Sequence, residues 1–118
     1  MSTPADLVRS IVEDCWTDAV GVERMRAMVA PDYVHHSVVG DWTFDQFAAG
    51  LAWVDSVFSA RHYVVEHVLV DGELVAAYLR WSATRRSDGS AVDGRGAYHA
   101  RLVDGAVRED WDVFHPMS

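Results

Sequence analysis

Residues 94–115 read GRGAYHARLVDGAVREDWDVFH. Two runs that alternate apolar and polar residues flank Asp104-Gly105. An Asp-Gly pair between such runs predicts a β-hairpin. The hairpin carries Tyr98, His99, Glu109, Asp110, Trp111, Asp112 and His115. A hairpin that only filled a core would not need three carboxylates and two histidines so close together. It reads as one polar wall of a container that the rest of the chain builds.

The same period of two extends back to His62. His62–Val70, Leu74–Arg86, Ala91–Val103 and Ala106–His115 are strand candidates, separated by Asp71-Gly72, Asp88-Gly89 and Asp104-Gly105. Together they predict a four-stranded antiparallel meander. The second strand is long, and a long strand in a small domain must curl.

Before His62 the period is helical. Thr3 can cap a helix with Pro4 at its first position and Asp6 at its third. Leu7, Val8, Ile11, Val12, Cys15, Trp16 and Ala19 then share one face, and Gly21 is expected to end that helix. A shorter second helix follows, with Val22, Met25, Met28 and Val29 on its buried side, and Pro31 is expected to stop it. Asp32–Val39 reads as a short extended segment broken by Gly40. Thr43-Phe44-Asp45-Gln46 has the form of a capping box, and Phe44, Phe47, Leu51, Val54 and Phe58 give a third amphipathic helix. Helices first and a meander afterwards is an α+β pattern: three N-terminal helices packed on a strongly bent, mainly antiparallel sheet.

The chain has 118 residues, half of them hydrophobic, which suits one domain with a real core. Five Trp, four Tyr and four Phe are enough for a core or an aromatic pocket. A net charge of -8 argues against a nucleic-acid partner. Cys15 is the only cysteine, so no internal disulfide can form, and its apolar helical position suits an inert buried thiol. No signal peptide opens the sequence and no apolar run approaches a membrane span, so a cytoplasmic protein without a membrane partner is expected.

Two motifs carry a family resemblance. Ala30-Pro-Asp-Tyr-Val-His-His36 is similar to an aromatic-valine-x-histidine segment, and Arg101-Leu-Val-Asp-Gly-Ala-Val-Arg-Glu-Asp-Trp-Asp112 to an ending of the form R-x-x-D-G-x-I-x-E-x-W. With the element order, the sequence resembles the SnoaL-like, polyketide cyclase-like branch of the nuclear transport factor 2-like superfamily. The resemblance implies a conical α+β barrel with a pocket between sheet and helices, often dimeric through the outer face of the sheet. It assigns the acid-base role of the cyclases to Asp112. It also sets His36 where related steroid isomerases carry their proton-shuttling carboxylate, and Tyr98 near their oxyanion donor. The chain departs from its relatives in having histidine at position 36 and at position 115. With four residues given after Phe114, the extension that some relatives use to close the pocket is not expected here.

Strand parity decides which side chains meet. With a three-residue loop, Val103 to Gly105, and a bulge at Gly105, Tyr98 lies opposite Asp110. Asp110, Asp112 and Phe114 then share its face. With a two-residue loop, His99 joins Asp110 and Asp112 instead. The family's usual ending favours the first register. The expected catalytic group is then Asp112, Asp110 and Tyr98, with His36 reaching in from the first strand. Trp16, Phe58, Trp81 and Phe114 are expected to line the pocket against the substrate.

A carboxylate in an apolar cavity has its pKa raised, which suits proton transfer near neutral pH. Tyr98 could donate to a developing enolate and His36 could relay a proton. The reaction class is proton abstraction next to a carbonyl, leading to cyclisation or isomerisation of a small, apolar, oxygenated ligand without a cofactor. The alternatives are a non-catalytic ligand-binding or dimeric interaction module, in which Trp16, Trp53 or Trp81 plugs the cavity, and an epoxide hydrolase using Asp93, Arg95 and Asp112. Arg101 and Arg108 are near enough in sequence to neutralise surface carboxylates at 110 and 112. No metal is expected, because His35 and His36 point to opposite faces of a strand, as do His62 and His67.

Overall fold

The computed structural model of the chain describes residues 3–114; His115 lies outside them. Thr3 accepts from the Asp6 backbone N–H while the Asp6 carboxylate accepts from that of Thr3, a reciprocal cap that starts α1, Pro4–Ser10. The chain continues through one π-helical turn, Ile11–Cys15. Val8, Ile11, Val12, Cys15 and Trp16 make one buried face across both segments.

The expected single helix to Gly21 does not form. Asp18 adopts an extended backbone, and its carboxylate accepts from Gly21 N–H at 2.7 Å, starting α2, Ala19–Arg26. Gly21 is therefore inside a helix. It is needed there because a Cβ would stand 2.6 Å from the Cys15 carbonyl oxygen, where the two helical segments touch. Nor does Pro31 stop a helix: α2 ends at Arg26, and Val29 already opens β1, Val29–Ser37. α3, Phe44–Val57, follows the Thr43–Gln46 capping box.

Six strands form one sheet in the order β2-β1-β6-β5-β4-β3. β2 is Gly40–Trp42, β3 Phe58–Asp71, β4 Leu74–Arg85, β5 Ala91–Val103 and β6 Ala106–Phe114. The last four make the expected meander, while β1 joins β6 in parallel. The sheet curls over the three helices but does not close. Two irregularities in β3, at Ala60 and Glu66, add to the bend. The second brings His62 and His67, expected on opposite faces, to the same outer face, opposite Ser82 and Tyr78. No helix among the described residues is long and apolar enough to cross a membrane.

The β5–β6 hairpin resolves the register. Val103 pairs with Ala106 across a two-residue turn, with φ of 54° at Asp104 and 78° at Gly105. The expected three-residue loop with Tyr98 opposite Asp110 is therefore incorrect. Leu102 pairs with Val107 but Arg101 with Glu109, so Arg108 is an extra residue. That bulge reverses the parity the short turn had set. Tyr98 falls opposite Asp112, and Tyr98, Asp110, Asp112 and Phe114 share the inner face, with His99, Glu109 and Trp111 outside.

Candidate functional site

β1 and β6 lie side by side in the sheet. Their parallel register sets His35 beside Asp110. Tyr33 and His35, two apart on β1, both turn inward. Asp110 is completely buried, and such a carboxylate must be paid in hydrogen bonds. It receives them from the Tyr33 hydroxyl at 2.9 Å from both oxygens, the Tyr98 hydroxyl at 2.7 Å and His35 Nδ1 at 2.6 Å. The second nitrogen of His35, Nε2, stands 3.5 Å from Asp112.

This arrangement sets the protonation states. Burial works against a charged His35 ring, but the hydrogen bonds to Asp110 and Asp112, with their negative charges, outweigh it and push the ring up to about 9. At neutral pH His35 is thus an imidazolium with a proton on each nitrogen, the one on Nδ1 donated to Asp110. Burial, reinforced by the charge of Asp110, pushes both Tyr33 and Tyr98 well above the ordinary tyrosine range, so both remain protonated donors.

His35, Asp112 and Ser37 are the polar side chains lining a cavity of about 650 Å³ whose other walls are largely apolar. Its walls are aromatic and include Trp42, Phe47 and Tyr63 as well as Trp16, Phe58, Trp81 and Phe114. β5 helps to make the space. Its inner face carries glycine at 94 and 96, where a Cβ would meet the rings of Trp81 and Phe114 at 2.6 and 2.5 Å. The mouth is rimmed by Val38 and Val39, from the turn between β1 and β2, and by Trp53 of α3, all strongly exposed.

Of the four residues expected to be catalytic, only Asp112 lines the cavity. Tyr98 and Asp110 sit behind its wall, and the Tyr98 hydroxyl is committed to Asp110, so it is not free to meet an enolate. His36 does not reach the cavity at all. Strand alternation turns it outward, where Nδ1 bonds Asp41 at 2.8 Å and Nε2 bonds Glu109 at 3.0 Å. It stacks on Trp111, which stacks in turn on His99. The inward position belongs to His35, and Tyr33 is a second inward residue that the sequence reading passed over. The signal was present: Tyr33 and His35 share parity, and a buried tyrosine hydroxyl needs a partner.

Arg101 and Arg108 pair with Glu109 and Asp32, not with Asp110 or Asp112. Asp93 and Arg95 face outward on β5, and Arg95 pairs with Glu66, so no Asp-Arg-Asp set with Asp112 is assembled. The three tryptophans line the cavity and leave it open. Among the described residues no group of three His, Cys, Asp or Glu side chains is placed to hold a metal ion.

A model of the SnoaL-like domain matches residues 8–110. No curated protein matches the sequence. Solved structures share the fold at low identity. AclR of Streptomyces galilaeus, a candidate hydroxylase, is 22% identical over 92% of this chain and 86% of its own, with a TM-score of 0.81. IdmH of Streptomyces antibioticus, a candidate polyketide cyclase, is 18% identical over 96% and 92%, with a TM-score of 0.83. A SnoaL-like polyketide cyclase of Agrobacterium tumefaciens is 15% identical over 98% and 93%, with a TM-score of 0.80.

Proposed function

Because the chain belongs to the SnoaL-like domain family, we propose that it binds a small, largely apolar, oxygenated molecule and moves a proton next to its carbonyl group, in a cyclisation or isomerisation. The observation that carries this reading is the Asp110–His35–Asp112 row at the wall of an open aromatic cavity.

Each member has a separate task. The Asp112 carboxylate takes the proton from the carbon next to the carbonyl. The His35 Nε2–H donates to the carbonyl oxygen as it becomes an enolate. At 3.5 Å the contact between His35 and Asp112 is too long to hold that N–H fully, so it can serve a ligand. Asp110 touches no ligand. It holds Nδ1–H and so fixes the ring's orientation and its charge, while Tyr33 and Tyr98 hold Asp110. The aromatic walls exclude water, which strengthens the charge interactions. Return of the proton from Asp112 to another carbon completes an isomerisation; in a ring closure the enolate carbon attacks a second carbonyl, whose C=O π electrons pass to its oxygen, and that oxygen takes the proton held on Asp112.

The test uses 1-tetralone in D2O, with exchange of the protons next to its carbonyl followed by NMR. The wild-type protein is expected to accelerate exchange, and Asp112→Asn and His35→Gln to slow it by about 10²-fold or more. A wild-type protein that binds 1-tetralone but leaves exchange at the buffer rate would sink the proposal and leave a non-catalytic binding module.

A further inference from the structure

The eight glycines of the chain divide by what holds them in place. Gly40, Gly72, Gly89 and Gly105 take a positive φ in or beside turns, and Gly21 lets two helical segments touch. The other three, Gly50, Gly94 and Gly96, lie inside α3 and β5 and have no such backbone need. Glycine inside a helix or a strand weakens it, so each calls for a reason. All three have a ring of the cavity wall where a side chain would stand. A Cβ would meet Trp42 at 3.2 Å from Gly50, Trp81 at 2.6 Å from Gly94 and Phe114 at 2.5 Å from Gly96.

The two glycines of β5 act together. Gly94 is opposite Trp81 of β4 and Gly96 opposite Phe114 of β6, so a ring leans onto the bare strand from each side. Carbon atoms in contact sit about 3.5–4.0 Å apart, so a methyl group at either place would shift its ring by about 1 Å or more. Phe58 and Tyr63 stand beside Trp81 at 6.0 and 6.4 Å, and Trp16 beside Phe114 at 6.2 Å. With the strand on one side and these rings alongside, the open direction is into the cavity. The wall there is long. It runs from His35 through Phe47, Trp16 and Tyr63 to Trp81, each ring 4.7 to 6.4 Å from the next.

We propose that Gly94 and Gly96 determine the size of the ligand. They let Trp81 and Phe114 lie back against the sheet and so keep room for three fused rings, the first of which carries the carbonyl group at His35. Alanine at either position brings a ring forward and leaves room for two. The inference rests on the proposed function only in taking this cavity as the ligand's place, and it does not require turnover.

Two ketones that differ by one ring test it: 1-tetralone and 1-oxo-1,2,3,4-tetrahydrophenanthrene. Binding is followed by NMR of the ¹⁵N-labelled protein. The wild-type protein is expected to hold the three-ring ketone about 10-fold more tightly, because the third ring buries more apolar surface. Gly94→Ala and Gly96→Ala should each remove about 10-fold or more of the three-ring affinity and keep that for 1-tetralone within about threefold. Gly94→Ala combined with Trp81→Leu, which takes the displaced ring away, should restore the three-ring ketone to within about threefold of the wild-type value. In the wild-type complex the third ring should give nuclear Overhauser contacts to the ring protons of Trp81 and Phe114.

Alanine variants that lose both ketones equally, or neither, overturn the proposal and leave the glycines a part in packing alone. A wild-type protein that holds the two ketones equally overturns it as well. The contacts in the wild-type complex decide the matter even if an alanine variant fails to fold: a third ring that touches neither Trp81 nor Phe114 overturns it. Binding of neither ketone removes the size rule and the pocket reading together. Size-dependent binding without proton exchange keeps the size rule and removes only the chemistry.

Discussion

His35 holds a positive charge where a lone imidazolium could not stay. Its side chain is almost without solvent, and the charge survives because Asp110 and Asp112 flank it. Such a charge ties stability to pH. The folded-state value of about 9 lies above the ordinary 6.5, so the folded protein keeps a proton that the unfolded chain releases earlier. The stabilisation is complete below about pH 6.5 and is lost as pH rises through about 9, an amplitude on the order of 3 kcal/mol. Urea denaturation at pH 6.5 and 9.5 should show this fall in the wild-type protein and a much flatter profile in His35→Gln. His36→Gln is the control, because its ring is also pushed up, by Glu109 first, but sits on the open face. A fall that persists in His35→Gln would place the titration elsewhere. At this scale the sequence was half legible. Asp110, Asp112 and Tyr98 were expected on one face through a three-residue turn, whereas the protein sets them there through a two-residue turn and the bulge at Arg108. The choice between His35 and His36 followed a family position instead of parity, and it came out on the wrong side of the strand.

Single-residue irregularities decide how the elements meet. Ala60 takes a φ of 51°, a left-handed conformation that alanine disfavours, and it does so inside the β3 bulge. The bulge turns Arg61 inward, where its guanidinium reaches the Thr17 and Leu51 carbonyls at 3.3 and 3.4 Å and joins the strand to the turn before α2 and to α3. Ala60→Gly is therefore expected to raise stability by about 0.5–1 kcal/mol: relief of the strained backbone outweighs the greater freedom of glycine in the unfolded chain. A urea midpoint that drops would show that the bulge carries no strain at Ala60. The bulge at Arg108 has the opposite importance, since without it His99, not Tyr98, would face the carboxylates. The Asp-Gly turns were legible because the residue type matches the backbone they need. The bulges were not, because an extra residue leaves the alternation of polar and apolar letters almost intact on either side. Asp18 was missed for a similar reason: its capping bond to Gly21 interrupts a helical pattern that the apolar residues carry straight through.

Across the whole molecule the two sides of the sheet are unlike. The inner side is core and cavity. The outer side exposes Val64, Leu69, Tyr78 and Val113 around the stacked rings of His36, Trp111 and His99. We propose that a second copy of the chain covers this face. Light scattering after size exclusion should give twice the 13.2 kDa chain mass for the wild-type protein, and the monomer mass for Tyr78→Glu with Val113→Glu. A wild-type monomer would end that proposal. Helices followed by a meander were readable at this scale because the hydrophobic period changes once, near His62. The parallel pairing of β1 with β6 was not, because no local pattern reports which distant strand a segment will join.

That pairing governs when the site comes into being. Tyr33 and His35 lie 77 and 75 residues before Asp110 in the chain. On a growing polypeptide β1 emerges early and waits, with an open edge and two inward polar side chains, until β6 has been synthesised. Closing so wide a loop is among the slow entropic steps of folding. His35 therefore gains the carboxylates that hold its charge above pH 6.5 only when β6 docks. Proton transfer, if switched on by a nascent chain, would mark the moment at which β6 joins β1.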